Sequence, residues 1–271
     1  MSHQWVPTTT NEQLQFVAGA PQQPPITYSI SGRPAFAFVQ VQLGEGQTFL
    51  GDSGAYLWGD STVQIETQCR DGPINSCGRC LSGEHLCINE FTGPGRVAFG
   101  DILPGDLLPF AVTPGNGWIM NQGAFVAATS NVCISARCPC CIGHIVGGEG
   151  VMLTLATVTD GGVGVVFGGG YGAIERHEVQ HGQKFFVDNG LFFAAHEKAS
   201  ISVGLPNEGK HLGEWSFKNC LSTAFGGEGI VMKFYGPAVL YTQSRNPDKF
   251  WGQSKNPGNQ SGSGPSVTVS A

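Results

Sequence analysis

The chain has 271 residues, 41 of them Gly, with 13% charged residues and a formal net charge of −6. Its 14 Lys and Arg form no basic run, so little is present to neutralise a phosphate backbone, and nucleic acid is not expected as a partner. No apolar stretch approaches the roughly 20 residues that a membrane-crossing helix needs.

In chain order, residues 1–27 read as a loosely ordered lead-in, with Pro21, Pro24 and Pro25 close together among Gln and Thr. Residues 28–250 read as a single β domain of three degenerate repeats, and 251–271 as a flexible tail rich in Gly, Ser and Pro. Met1 to Thr10 shows neither a signal-peptide core nor an Arg-rich amphipathic pattern, which points to the cytoplasm. In that setting nine Cys argue against a disulfide framework.

Two short patterns alternate along the domain. The first pairs Gly46-Gln47-Thr48-Phe49 with Gly54-Ala55-Tyr56-Leu57, then Gly105-Asp106-Leu107-Leu108 with Gly123-Ala124-Phe125-Val126, then Gly182-Gln183-Lys184-Phe185 with Gly190-Leu191-Phe192-Phe193. The second is a Gly-Glu pair, an alternating run and a Gly-rich turn. Gly83-Glu84 leads to Gly93-Pro94-Gly95, Gly148-Glu149 to Gly161-Gly162, and Gly227-Glu228 to Gly236-Pro237. Alternation with period two and Gly at the turns predicts strands, and three copies predict an all-β fold of three β-sandwich-like units in a pseudo-threefold arrangement. One short helix is expected near Glu214 to Ala224, on the apolar Trp215, Phe217, Leu221 and Ala224.

Phe225-Gly226-Gly227-Glu228-Gly229 with Phe234-Tyr235-Gly236-Pro237 resembles the altered-inheritance-of-mitochondria family. So do Tyr171-Gly172-Ala173-Ile174-Glu175 and Val187-Asp188-Asn189-Gly190. The resemblance runs over about residues 28–250. It implies a fold like that of the tryptophan RNA-binding attenuation protein, β-sandwich units set around an axis, and homotrimers. It carries over no catalytic residue. It also implies a mitochondrial location for eukaryotic members as the alternative to the cytoplasm. Two Cys-bearing loops depart from the family pattern, and no mitochondrial presequence is evident.

Gly51-Asp52-Ser53-Gly54 is similar to the nucleophile loop of chymotrypsin-like proteases, which needs a His and an Asp well upstream of the Ser. Only His3 precedes it, and the repeat aligns Asp52-Ser53-Gly54 with Asp188-Asn189-Gly190, so the motif reads as a turn entering a strand. The Gly-Glu loops lack the Lys-Ser/Thr of a phosphate loop and set one carboxylate per repeat: Glu84, Glu149 and Glu228. Those carboxylates either cap local N–H groups or bind a cation or basic group.

The Cys residues are the most individual feature. Cys77 and Cys80 make a C-x-x-C step, Cys138, Cys140 and Cys141 a second cluster, and Cys220 sits at the same offset before its Glu as Cys141. Thiolates so spaced suit tetrahedral zinc, although the paired C-x-x-C arrangement is absent. The alternatives are free thiols or reversible acylation, which would bring peripheral membrane association.

The expected function is therefore a non-catalytic oligomeric scaffold or binding protein whose partners are further copies of the chain, a trimer first, and another protein. The alternative is a module for a small ligand, a metal or RNA, acting at the axial end or in subunit grooves.

Overall fold

Short runs of Val, Ile, Phe and Leu broken by Gly favour strands over helices, because branched and aromatic side chains pack well on a pleated surface. The computed structural model describes residues 26–69, 87–121, 123–137, 153–158, 162–204, 231–247 and 250, and these are dominated by antiparallel strands. The expected helix at 214–224 lies outside the described residues.

The strands fall into three successive runs. The first holds β1 (Thr27–Ser31), β2 (Phe38–Leu43), β3 (Thr48–Asp52), β4 (Tyr56–Gly59), β5 (Gln64–Cys69), β6 (Cys87–Thr92) and β7 (Gly95–Gly100). The second holds β8 (Gly105–Val112), β9 (Trp118–Asn121), β10 (Phe125–Thr129), β11 (Val132–Arg137), β12 (Leu153–Val158) and β13 (Gly164–Tyr171). The third holds β14 (Ile174–Val179), β15 (Lys184–Asp188), β16 (Phe192–His196), β17 (Ser200–Gly204), β18 (Val231–Tyr235) and β19 (Ala238–Gln243).

The same pairings recur in each run. β2 pairs β7 as β8 pairs β13 and β14 pairs β19. β4 pairs β7 as β10 pairs β13 and β16 pairs β19, each with a register shift that skips one residue: Leu57, Val126 or Phe193. β6 lies between β3 and β5, as β12 lies between β9 and β11 and β18 between β15 and β17. The expected three-unit repeat is thus present in the strand pairing, with β1 as an extra strand on β2.

One copy of the first sequence pattern is out of place. Gly46 (φ 69°) and Gly182 (φ 79°) turn β2 into β3 and β14 into β15. In both turns a Gln side chain closes the loop: Gly44 N–H donates to Gln47 Oε1 at 2.6 Å, and Gln180 N–H to Gln183 Oε1 at 3.1 Å. The equivalent turn in the second run is at Gly115 (φ 69°), where Thr113 N–H donates to the Asn116 carbonyl, not at Gly105, which begins β8. Gly105-Asp106 matched because it too precedes an apolar pair, and the corrected copies are almost evenly spaced.

Consecutive units share sheets rather than closing on themselves. The first sheet runs β1-β2-β7-β4, the second β5-β6-β3-β10-β13-β8, the third β11-β12-β9-β16-β19-β14 and the fourth β15-β18-β17. Each interior sheet joins three strands of one unit to three of the next through β3–β10 or β9–β16. The sheets stack in that order. Val39, Val41, Phe49, Phe99 and Phe167 fill the first interlayer, Leu50, Phe110, Met120 and Phe193 the second, and Ile119, Phe192, Met232 and Phe234 the third.

Strand sequence follows layer position. β2 lies in an outer layer and alternates, with Val39, Val41 and Leu43 buried and Gln40 and Gln42 facing out. β10 (Phe125-Val126-Ala127-Ala128) and β16 (Phe192-Phe193-Ala194-Ala195) lie in middle layers and are apolar on both faces. Adjacent residues such as Phe49 and Leu50 therefore serve different interlayers, each Phe or Leu burial contributing about 1.5–3 kcal/mol.

Candidate functional site

Every residue expected from the sequence to bind lies outside the described residues: Cys77, Cys80, Cys138, Cys140, Cys141 and Cys220, and Glu84, Glu149 and Glu228. The strands on either side of them are described, and these give the residues a common origin. Segment 70–86 joins β5 to β6, 138–152 joins β11 to β12, and 205–230 joins β17 to β18. The three hairpins are equivalent in the repeat and close on the register pairs Cys69↔Cys87, Arg137↔Leu153 and Gly204↔Val231. One glutamate and at least one cysteine of the expected set therefore fall in each of three equivalent connections.

Among the described residues, no group of three His, Cys, Asp or Glu is placed to hold a metal ion, and Cys133 on β11 is an exposed free thiol. No described helix is long and apolar enough to cross a membrane.

The protease-like motif is a turn, as the repeat indicated. Asp52 ends β3, its Oδ2 accepts from Gly54 N–H at 3.1 Å, and its carbonyl accepts from Ala55 N–H at 3.1 Å. Asp188 does the same at the end of β15, its Oδ1 accepting from Gly190 N–H at 2.9 Å at the head of a 3₁₀ turn, Asn189–Leu191. Ser53 is thus the middle residue of a side-chain-capped turn.

Burial pushes the Asp52 carboxyl above the usual carboxylate range, against the Gly54 and Ser53 N–H groups that pull it down. Asp101, after β7, is pushed up mainly by burial and further by the Asp52 charge, against the N–H groups of Leu103 and Ile102. This carboxyl pair sits where the first unit meets the second, close to the Gly169 backbone of β13. A Cβ on Gly169 would lie 2.7 Å from Asp101 Oδ2. Both carboxylates are held by their own turns, which suits a structural role.

Sequence reading missed the rim of the stack. Leu57 (48% exposed) and Trp58 (39%) stand out from β4, and Phe186 (41%) stands out from β15. The signal was present at the residues equivalent to Trp58 and Gly59. They are Ala127-Ala128 and Ala194-Ala195, so a large side chain replaces a small one in the first unit only.

The frame so defined is an all-β protein of three repeats that share stacked antiparallel sheets. The chain belongs to the family described as Mitochondrial biogenesis AIM24, whose model matches residues 28–245. It is 22% identical over 237 residues to an uncharacterized protein of Streptococcus pyogenes serotype M6, a match covering 84% of this chain and 89% of that protein. Its fold is similar to the X-ray crystal structure of a Streptococcus pyogenes protein, with a TM-score of 0.65 and 21% identity over 85% of this chain and 98% of that one.

Proposed function

We propose that the chain is a non-catalytic scaffold that presents three long connections from one repeated frame to a protein partner. The observation that carries this reading is the equivalence of the hairpins β5–β6, β11–β12 and β17–β18. Each continues into a connection of 15 residues or more that differs in sequence from the other two (70–86, 138–152 and 205–230). A rigid frame with divergent loops at equivalent points is the arrangement that binding proteins use to vary contacts without disturbing the core. The polar side chains described elsewhere support the frame itself: Asp52 and Asp188 cap turns, and Arg33 pairs with Asp106.

The test is to replace each connection in turn by a short Gly-Ser turn in the full chain and to capture partners by cross-linking from native extract. Loss of a captured partner with an unchanged melting temperature is the expected result. Capture that survives replacement of all three connections would overturn the reading.

A second reading is favoured by one feature, the recurrence of thiol and carboxylate in the three connections: binding of a soft metal, zinc first. Metal analysis of untagged protein, with thiols counted before and after chelation, decides it. Nine freely reactive thiols and no metal would sink it.

A further inference from the structure

Of the three equivalent hairpins, only the first closes on a pair of cysteines. Cys69 ends β5, Cys87 begins β6, and the two stand opposite each other in the register. The equivalent closing pairs are Arg137↔Leu153 and Gly204↔Val231. Cys133, on β11, stands opposite Thr157. Among the described residues, Cys69↔Cys87 is thus the one cross-strand pair of cysteines.

The strand on the other side of β6 tells which kind of pair this is. Gly93 N–H donates to the Gln47 carbonyl at 2.9 Å, in the register that continues β3–β6. Backbone groups alternate sides along a strand, so Cys87, Asn89 and Phe91 turn theirs to β3, while Ile88, Glu90 and Thr92 turn theirs to β5. Gln68↔Ile88 is therefore a hydrogen-bonded pair and Cys69↔Cys87 a non-hydrogen-bonded one. Pairs of the second kind have Cα atoms about 4.5 Å apart and the closest Cβ approach in a sheet. A disulfide spans Cα separations of about 4.4–6.8 Å, so this register meets its requirement without a backbone shift. The place is also open to solution. β5 ends its sheet, and Ile65 and Thr67, on the same strand face as Cys69, are exposed.

We propose that Cys69 and Cys87 form a reversible cross-strand disulfide by exchange with a small disulfide of the glutathione class. One protein thiolate attacks the small disulfide, forms a mixed disulfide and releases the first small thiol. The second protein thiolate attacks the protein sulfur of the mixed bond and releases the second. One S–S bond is broken and one is formed, and two protein thiols are exchanged for two small ones. Excess thiol runs the same steps backwards, as exposed links readily allow. This is a redox modification of one site and not a disulfide framework for folding. The link joins the two ends of segment 70–86 at the sheet and leaves 138–152 and 205–230 without a counterpart. Its consequence for a partner rests on the scaffold reading and deepens it: one connection of the three comes under redox control.

Peptide mapping of the full chain tests it. Reduced protein is equilibrated against glutathione mixtures of rising oxidised share, then alkylated, digested and mapped by mass spectrometry. A Cys69–Cys87 linked peptide is expected to accumulate and to be lost on addition of dithiothreitol. The double variant Cys77→Ser/Cys80→Ser should keep the link, and Cys69→Ser should leave Cys87 as a mixed disulfide with glutathione. Amide exchange in the wild type supplies a readout free of substitutions. Exchange at Gln68 and Ile88, the hydrogen-bonded pair beside the link, should slow on oxidation and recover on reduction. Cys69 and Cys87 that stay reduced across the series, or that link to Cys77 or Cys80 in preference to each other, would overturn the proposal. Neither result touches the loop-replacement test, so failure of the link and failure of the scaffold reading stay separate.

Discussion

The junctions inside the stack and the open strands at its ends share one backbone pattern and differ in what covers them. At β3–β10 and β9–β16, Leu50, Ile119, Ala127 and Ala194 are sealed between layers. At β4 and β15, the same positions meet no described layer, and the chain places Trp58 and Phe186 there. A repeat therefore fixes the hydrogen-bonding frame, while the position of a unit in the series decides whether a side chain belongs to the core or to the surface.

The largest expected effect breaks that comparison directly. Leu50→Lys or Ile119→Lys buries an unpaired charge between two sheets, at a cost of about 4–5 kcal/mol, which is comparable with the whole stability of many domains. No cooperative melting transition should remain by circular dichroism. Phe186→Lys, at the equivalent but exposed position, should melt within a few degrees of the wild-type chain. Equal losses at Leu50 and Phe186 would show that the two positions are not different environments.

A smaller effect tests whether the boundaries between units are equivalent. Arg33 Nε and one terminal guanidinium nitrogen each lie 2.8 Å from the Asp106 carboxylate, which holds the β1–β2 turn of the first unit onto β8 of the second. Asp106 also accepts from Leu107 N–H, and its side chain is only 10% exposed. The third unit has Ala173 at the corresponding place before β14, so only the first boundary carries this pair. Arg33→Ala leaves a nearly buried carboxylate short of donors and should cost about 1–3 kcal/mol. The check is a lower urea midpoint at unchanged slope, and an unchanged midpoint would remove the pair from the boundary.

How far the sequence was legible follows from the same contrast. Alternation in Phe38-Val39-Gln40-Val41-Gln42-Leu43 and the Gly-rich turns predicted strands, and pairing bears them out. The repeat was readable at Gly54, Gly123 and Gly190, where a turn must end before the bulged strand. It misled at Gly105, because a Gly before two apolar residues opens either of two different strands. Sharing of sheets between units was not readable, since β10 and β16 are apolar on both faces for a reason that lies in other units. The expected binding residues remain a statement about three connections, and their common origin came from strand register.

The smallest effect concerns the turns that lead into these contrasting strands. Asp52 precedes the open β4, Asp188 precedes β16, and the second unit has Asn121 before the buried β10. Burial raises the folded-state pKa of Asp52 above its unfolded value, so the proton binds more tightly in the folded chain. Its contribution to stability is then fully present below the unfolded value and lost as pH rises through the folded one. Asp52→Asn keeps an oxygen for the Gly54 N–H, removes the buried charge and relieves Asp101 of its neighbour. The melting temperature should rise by about 1–2 °C at pH 7. That gain should shrink as pH falls through the carboxylate range, because the wild-type carboxyls take up protons there. A gain equal at both ends of that range would mean that the turn, rather than its charge, responds to the substitution. A loss at pH 7 would mean that the carboxylate is a better cap than the amide, and that the second unit tolerates Asn121 because its turn leads into a strand held on both edges.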